Sequence, residues 1–325
     1  MATILRYAVW ARWGPDEVDE RLALADRLVA TAARAGSIGA RLHAHGTRIH
    51  FALESGVIES AQRDLATYLE LARTARRPWF DWSARRFRIM LALLTGEHAA
   101  AEQEIAESTS RARTFEHPDV LALFYAQMVA LRMQQDRVAE IIPFLIESVR
   151  RPTALPAWKC ALTYAQAAEG DHAAARALLL ELGAHDFADL PRDFYWKSSL
   201  AFLADAAALL YERDVAAALY RALLPYQDDC ANIYGVVSLG AVQRPLARLA
   251  HLLGRRRDAR RHFAAAARLH ERMGALPWFA RTLYEHARLC PRNAERSALL
   301  ERARHAAEKV GLASLVERCA ELEAQ

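Results

Sequence analysis

The feature that most constrains this chain is a break in its helical pattern that recurs at nearly constant spacing. The breaks fall at Gly14, Gly56, Gly96, Gln135-Asp136, Gly170, Arg213-Asp214 and Gly254, with intervals of 42, 40, 39, 35, 43 and 41 residues. A period of about 34 to 45 residues is typical of helical solenoids, because one helical hairpin can bury its apolar face only against the next. We therefore predict an all-α fold, an α-solenoid of about seven antiparallel helical hairpins.

The predicted hairpins follow one another without a composition shift that would separate domains, so residues 1–325 are expected to form one repeat domain. The predicted hairpins are 1–36, 37–76, 77–115, 117–151, 155–183, 193–226 and 236–274. A further pair at 277–310 and a capping helix at 313–323 complete the chain. Pro15-Asp16-Glu17 and Asn293 precede apolar-periodic segments, as helix-start signals do. Ala and Leu dominate and alternating Val/Ile/Thr runs are missing, which favours helix throughout.

Composition excludes several classes of protein. The formal charge of +4 is small and sets no partner by itself. Cys160, Cys230, Cys290 and Cys319 form no CxxC pair, so we expect buried thiols of a cytoplasmic protein rather than a zinc site or a disulfide framework. The N-terminal apolar run is too short for a signal peptide or a membrane span. No cofactor is expected.

Six short segments carry a resemblance to a known class of protein, and their order and spacing matter more than any one of them. They are ARWGP at 11–15, ERLALAD at 20–26, LPAW at 155–158, DFADLPRD at 186–193, LPY at 224–226 and MGALPWFART at 273–282. The chain resembles the tetratricopeptide-like C-terminal region of large bacterial regulators, namely LuxR-type transcriptional activators and class III adenylate cyclases with an AAA-type ATPase segment. The resemblance spans essentially the whole chain.

The resemblance implies a right-handed superhelix that senses a ligand or contacts a protein and has no catalytic role. The ATPase module of those regulators is not expected here. A Walker A loop needs Gly-Lys-Ser/Thr, whereas Lys159, Lys197 and Lys309 follow Trp158, Trp196 and Glu308. We therefore expect a stand-alone repeat protein or a fragment of a larger regulator.

Aromatic residues and arginines cluster on the first helix of several hairpins, the helix that lines the concave surface in such a superhelix. Packing in the core is the alternative for each of them, because large aromatics at helical spacing are usually buried. A groove of this kind would suit an anionic or amphipathic small ligand, a peptide or a protein partner. The predicted groove residues are Trp79, Trp82, Arg85, Phe124, Tyr125, Trp158, Tyr195, Trp196, Tyr234, Arg244, Trp278, Arg281 and Tyr284.

An enzyme built on the same superhelix is the second hypothesis. It would fold and protonate or cyclise a small, largely apolar substrate, with Asp81 as the acid, because a carboxylate against indole faces can hold its proton. Asp228-Asp229 is interpreted as a helix cap or a solvated loop. The twelve histidines include no HExxH, and those at 43, 45 and 50 have no Cys or Asp at ligand spacing, so no metal site is predicted. Basic runs at 73–77, 85–88 and 255–257 are interpreted as solvated surface, which does not favour nucleic acid.

Overall fold

The computed structural model describes residues 2–12, 14–112, 118–151 and 154–325. Over these residues the chain forms seventeen α-helices and a single two-stranded sheet, so the predicted all-α class is confirmed. The helices are α1 (Ala2–Ala11), α2 (Val18–Ala35), α3 (Ile38–Glu54), α4 (Ile58–Ala75), α5 (Pro78–Thr95), α6 (His98–Ala112), α7 (Pro118–Gln134), α8 (Ile142–Arg150), α9 (Pro156–Ala168), α10 (His172–Gly183), α11 (Trp196–Leu210), α12 (Arg213–Leu223), α13 (Gln243–Leu252), α14 (Arg256–Arg272), α15 (Leu276–Ala287), α16 (Ala294–Lys309) and α17 (Ala313–Ala324). Two 3₁₀ segments, Val138–Ile141 and Leu224–Tyr226, and the strands β1 (Cys230–Ile233) and β2 (Val237–Ala241) complete the elements.

Local signals set the helix ends. The Asn293 side chain accepts a hydrogen bond from the backbone N–H of Arg296 at 3.1 Å, and this cap starts α16 where the sequence predicts it. The Asp171 side chain caps α10 in the same way. Proline stands in the first turn of α5, α9 and α15, where its missing N–H has no cost. Among the described helices, none combines the length and the apolar character that crossing a bilayer requires.

Successive helices pack side by side. The closest pairings include α3 with α4, α13 with α14 and α15 with α16, and each pair is joined by a short connection. Two packed helices with so short a connection must run antiparallel, which makes each pair a helical hairpin. The predicted hairpin 236–274 begins with a strand rather than a helix, and α15 begins at Leu276, one residue before the predicted pair at 277–310.

Helices from distant parts of the chain also meet. Helix α5 packs against α15, and His98 Nδ1 lies 3.1 Å from the carbonyl oxygen of Val310. The carboxylate of Asp136, just after α7, binds Arg281 of α15 at 2.8 Å and Arg318 of α17 at 2.5 Å. The C-terminal helices are therefore fastened to the first half of the chain by ion pairs and packing.

The two strands form an antiparallel β-hairpin that the sequence analysis did not predict. Cys230 pairs with Ala241 and Asn232 pairs with Ser238, with an irregularity in β1 between these two pairs. All residues of β2 are buried, and those of β1 are buried except for the half-buried Ile233. The expectation of helix throughout is wrong here, because the run from 233 to 242 carries β-branched residues between two glycines and thus suits a strand.

All four cysteines are buried free thiols, as the sequence analysis expected. Burial raises the pKa of Cys160 and that of Cys230 to about 12. Because the thiolate is the reactive form, these two side chains serve as small apolar residues of the core.

Candidate functional site

The β-hairpin lies among helices from both halves of the chain and is held by their side chains. Trp278 Nε1 donates to the Ser238 carbonyl at 3.1 Å, and the Ala241 N–H donates to His270 Nε2 at 2.8 Å. At the hairpin tip, Gln127 Nε2 donates to the Val236 carbonyl at 3.0 Å. Strand β1 contacts α3 and α11, whereas β2 contacts α5, α7 and α14. The hairpin thus fills interior space between these helices, and its position defines the candidate site.

An apolar pocket lies between the hairpin and three helices, α7, α9 and α11 with the turn before it. We call it the hairpin pocket. Its cavity volume is about 120 Å³. Mostly apolar walls with few polar groups are typical of small-molecule sites. The lining residues are Ala122, Leu123, Ala126, Val129, Ala130, Leu155, Ala157, Trp158, Ala161, Tyr195, Phe202, Ile233, Val237 and Leu239.

The hairpin pocket forms where small side chains leave space, and larger apolar side chains form the rest of its wall. Alanines of α7 and α9 face the pocket, and each leaves room that a larger side chain would occupy. Trp158 and Tyr195 supply aromatic surface, while Ile233 and Val237 close the side formed by the hairpin. Among the described lining residues, Tyr195 alone carries an ionisable group. Such a wall binds apolar surface and provides few groups for proton transfer.

Two of the predicted groove residues, Trp158 and Tyr195, line this pocket, and a third lies next to it. Tyr125 is stacked on Phe144 with ring centroids 4.3 Å apart, and Phe144 meets Trp158 edge to face at 5.5 Å. Tyr125 also lines a shallower depression between α6 and α7. Tyr125, Trp158 and Tyr195 therefore lie in one region of the molecule.

Most other predicted aromatic residues lie in the protein interior. Trp82, Phe124, Trp196 and Trp278 are buried, and Phe124 is 0% exposed. Tyr234 lies at the hairpin tip, where its ring meets His50 at 5.4 Å. The packing alternative describes these four side chains, because neighbouring elements bury them.

Trp79 and Tyr284 lie away from the hairpin pocket. Trp79 is 47% exposed, and its ring lies 4.9 Å from that of Trp82. Tyr284 is half-buried beneath the guanidinium of Arg318, at 5.5 Å. Neither lines the hairpin pocket.

The three predicted groove arginines all have protein partners. Arg85 binds Asp81 at 3.2 Å and Glu104 at 3.4 Å. Arg281 binds Asp136 and donates to the Met133 carbonyl at 3.2 Å. These contacts place the guanidinium groups in ion pairs between helices rather than on the wall of the pocket.

Arg244 belongs to a buried ion network. It donates to Asp205 at 2.9 Å and to Glu285 at 3.0 Å, and Arg248 reaches Asp205 at 2.6 Å. Burial alone would lower the pKa of Arg244, but the charges of Asp205 and Glu285 outweigh burial and raise it. This network joins α11, α13 and α15.

Asp81, the acid of the enzyme hypothesis, lies on the surface. Its side chain is 65% exposed and pairs with Arg85, and it does not line the hairpin pocket. The expected setting between two indole faces does not arise, because Trp82 points into the core. Asp229 also differs from its interpretation as part of a cap or solvated loop. It is buried and binds Lys197 at 2.7 Å, and burial raises its pKa against the opposing charge of Lys197.

A buried charge network joins α2, α3, α11 and the start of β1. Glu54 binds Arg21 through both oxygens, at 3.0 and 3.2 Å, and also binds Lys197. Burial alone would raise the pKa of Glu54, but the charges of Lys197 and Arg21 lower it overall. Burial lowers the pKa of His50 to about 4, so His50 is neutral at pH 7. Its Nδ1 accepts a hydrogen bond from the Gly235 N–H at 3.1 Å, which ties this network to the hairpin tip.

One group of possible metal ligands comes together at the end of α15. The ligand atoms of His286, Cys290 and Glu295 lie within 4.8 Å of one another. The Glu295 carboxylate, however, accepts hydrogen bonds from the Arg260 guanidinium at 2.6 and 2.8 Å, so both of its oxygens already have a positively charged partner. This group was missed in the sequence because its residues stand at uneven spacing across a helix end.

The interpretation of the basic run at 85–88 as solvated surface is wrong for Arg86, which is buried beside the hairpin tip with 6% of the residue exposed. Sequence reasoning also missed the hairpin residues of the pocket wall. The run of β-branched residues flanked by Gly235 and Gly240 is the signal that could have found the hairpin. No protein-family model matches the chain, and no curated protein matches it either. The functional argument therefore depends on the geometry of the pocket and its surroundings.

Proposed function

We propose that this chain is a non-catalytic sensor that binds a small, largely apolar molecule in the hairpin pocket, with a regulatory role. The observation that carries the proposal is the pocket itself, an apolar space walled by three helical segments and the β-hairpin. Burial of apolar ligand surface contributes about 25 cal/mol per Å², so a ligand of modest size can bind there usefully.

The resemblance to the repeat arm of bacterial regulators supports a sensing role. Helices that pack in successive antiparallel pairs agree with that resemblance, and we infer a tetratricopeptide-like superhelix from the two together. The hairpin occupies space between helices from both halves of the chain, and this favours a small ligand over a peptide or a protein in that position.

The position of the pocket suggests how binding would be communicated. One wall is β2, whose backbone is held by Trp278 and His270 of the C-terminal helices, and another is α7, whose following turn binds α15 through Asp136. A ligand that prefers one arrangement of these walls shifts the population toward that arrangement. The C-terminal helices would then respond to occupancy.

An enzyme is less well supported by the same pocket. Proton transfer needs an acid or base within hydrogen-bond reach of the substrate, and the walls carry one phenol and no carboxylate among the described residues. Asp81 lies elsewhere, on the surface.

A thermal-shift screen against metabolites, with two pocket variants, tests the proposal. Ala122→Trp and Ala157→Trp would fill the pocket from two helices, and both positions are only half-buried, which limits the cost to folding. Ala99→Trp, on the exposed face of α6, is the matched control. A ligand at about 100 times its Kd adds about 2.7 kcal/mol, or about 4 °C in Tm for a chain of this length.

The expected result is a ligand that raises the Tm of wild type and of Ala99→Trp and leaves both pocket variants unmoved. Equal shifts in all four proteins would place the ligand elsewhere and refute the assignment to this pocket. Binding of peptides alone, undiminished by the pocket variants, would favour a peptide-binding protein instead.

A further inference from the structure

Arg86 of α5 is a buried cation with no ion-pair partner among the residues that the structure describes. Its side chain is buried, with 6% of the residue exposed, and its Nε has no hydrogen-bond partner. Its guanidinium carbon lies 4.7 Å from the centroid of the Phe87 ring, 5.3 Å from Trp82 and 5.4 Å from Tyr234. Aromatic faces attract a guanidinium, but they do not replace the hydrogen bonds it makes in water.

The neighbouring charges do not offset Arg86. In the adjoining buried network, the cations Arg21 and Lys197 are matched by the anions Glu54 and Asp229. His50, which senses the charge of Arg86, is neutral at pH 7. Within this cluster of described residues one positive charge is therefore in excess, and that charge is Arg86. Burying an unpaired charge is costly, and an anion at this position would remove the cost.

Arg86 adjoins the tip of the hairpin but is not itself a lining residue of the hairpin pocket. Its Nη2 lies 3.6 Å from the point where a Cβ on Gly235 would stand, and Ile233 and Val237 on either side of that tip line the pocket. Tyr195 lines the pocket as well, and its phenol is one of three that interact electrostatically with Arg86. Tyr195 and the hairpin tip are therefore the elements that the pocket and Arg86 share.

We propose that Arg86 binds the carboxylate of an amphipathic ligand whose apolar body fills the hairpin pocket. This inference rests on the function proposed above and adds the chemical class of the ligand. A guanidinium presents two parallel N–H groups that match the two oxygens of a carboxylate. A monoanion cancels the single excess charge, whereas a phosphate dianion would leave a buried negative charge in its place.

Two probes of equal chain length separate the contribution of the carboxylate to binding from that of the apolar chain. Octanoate and octanol have eight carbons each, and only octanoate carries a carboxylate; the extra methylene group of octanol works against the expected preference, so the test is conservative. We expect octanoate to bind wild type at least about tenfold more tightly than octanol by isothermal titration calorimetry at pH 7, since hydrogen bonds to charged groups contribute about that factor. Acetate and chloride at matched ionic strength test whether any small anion suffices.

Three variants test whether Arg86 is the source of the preference for octanoate over octanol. Arg86→Met keeps an unbranched, flexible side chain without the charge and should bring the octanoate Kd up to that of octanol, with octanol affinity unchanged. Arg86→Lys should keep part of the preference, because an ammonium is a cation without the paired donors. Arg88→Met, on the exposed face of the same helix, is the control and should behave as wild type.

The stability of the unliganded variants guards against a structural explanation. Removing an unpaired buried charge should leave the Tm of Arg86→Met equal to or above that of wild type. A fall of several degrees together with an unchanged octanoate preference would assign Arg86 to packing and overturn the inference.

The remaining outcomes also decide between the proposals. Octanol binding as well as octanoate to wild type would overturn the inference and leave the proposed function standing. Equal stabilisation by acetate or chloride would mean an inorganic or small anion site without the apolar body. Failure of both long-chain probes and of the metabolite screen would remove the proposed function and this inference together.

Discussion

Replacing Gly240 by alanine should loosen the hairpin from the C-terminal helices. Gly240 has a φ of +77°, and a Cβ there would lie 2.5 Å from His270 Nε2 and 3.0 Å from Trp278 Cγ. Both of these side chains hold the hairpin backbone, through Ala241 N–H and the Ser238 carbonyl. The added methyl group would therefore strain the backbone and displace both hydrogen bonds.

The expected loss in the free energy of unfolding is the sum of a backbone contribution and a hydrogen-bond contribution. A left-handed conformation costs a residue with a Cβ about 1–2 kcal/mol. Each buried hydrogen bond that is broken adds about 1–1.5 kcal/mol. The free energy of unfolding should thus fall by about 3–5 kcal/mol in the Gly240→Ala variant. With an unfolding entropy of roughly 2.1 cal/mol/K per residue, this corresponds to a fall in Tm of about 4–7 °C for a chain of this length.

Differential scanning calorimetry of Gly240→Ala and a matched variant, Gly170→Ala, measures the effect. Gly170 has a φ of +88° and nothing within 4 Å of the added Cβ, so it carries the conformational cost alone. We expect Gly170→Ala to lower the Tm by only about 2 °C. Equal losses for the two variants would refute the close docking of the hairpin against His270 and Trp278.

Three further changes test the interior charges and the link between distant helices. Glu54→Gln should lower the free energy of unfolding, measured by urea titration, by about 3–5 kcal/mol, because it leaves the buried cations Arg21 and Lys197 without their partner. Glu295→Gln, which removes an exposed ion pair, is the control and should cost less than about 1 kcal/mol in the same titration. Burial lowers the pKa of His270 to about 3, whereas the pKa of a histidine in the unfolded chain is about 6.5. As the pH falls below about 6.5, His270 is therefore protonated in the unfolded chain but stays neutral in the folded one. The free energy of unfolding should then drop by up to about 1.4 kcal/mol per pH unit. His270→Gln should flatten that dependence between pH 7 and 5, and an unchanged slope would contradict a neutral buried His270. Asp136→Asn weakens both ion pairs to the C-terminal helices and should speed proteolysis there, whereas cleavage at the wild-type rate would show that packing alone holds them.

The helix pairs could be predicted because their signals are local. A glycine after α5, an asparagine before α16 and apolar residues at helical spacing act within a few residues of where they stand. For that reason α2 begins at Val18, directly after the predicted start signal at 15–17, and the capping helix begins at Ala313 as predicted.

The strands could not be predicted from a pattern counted over long windows. The hairpin spans few residues, and its burial on both faces removes the polar alternation that marks an exposed strand. Its stability comes from helices far away in the chain, such as α3, α7 and α14. A short apolar run with glycines takes the conformation that these neighbours permit.

The same reasoning separates the predicted site residues. Trp158 and Phe124 look alike in the sequence, each on the first helix of a pair, yet Trp158 lines a pocket and Phe124 is in the core. Periodicity shows that a face is apolar, but not whether another element covers it. The hairpin and the neighbouring helices decide that.

The amino-acid sequence by itself determined where the helices begin and end and which of them pair, because hydrogen bonds within a helix and contacts across a short turn are local interactions. The tertiary structure alone decided that a β-hairpin occupies the interior and that an apolar pocket forms beside it. It also decided that Arg86 is buried near the hairpin tip with no carboxylate partner among the described residues. These features depend on contacts between residues more than a hundred positions apart, such as Gln127 with Val236. Burial and charge balance are properties of that assembly, so no local pattern encodes them.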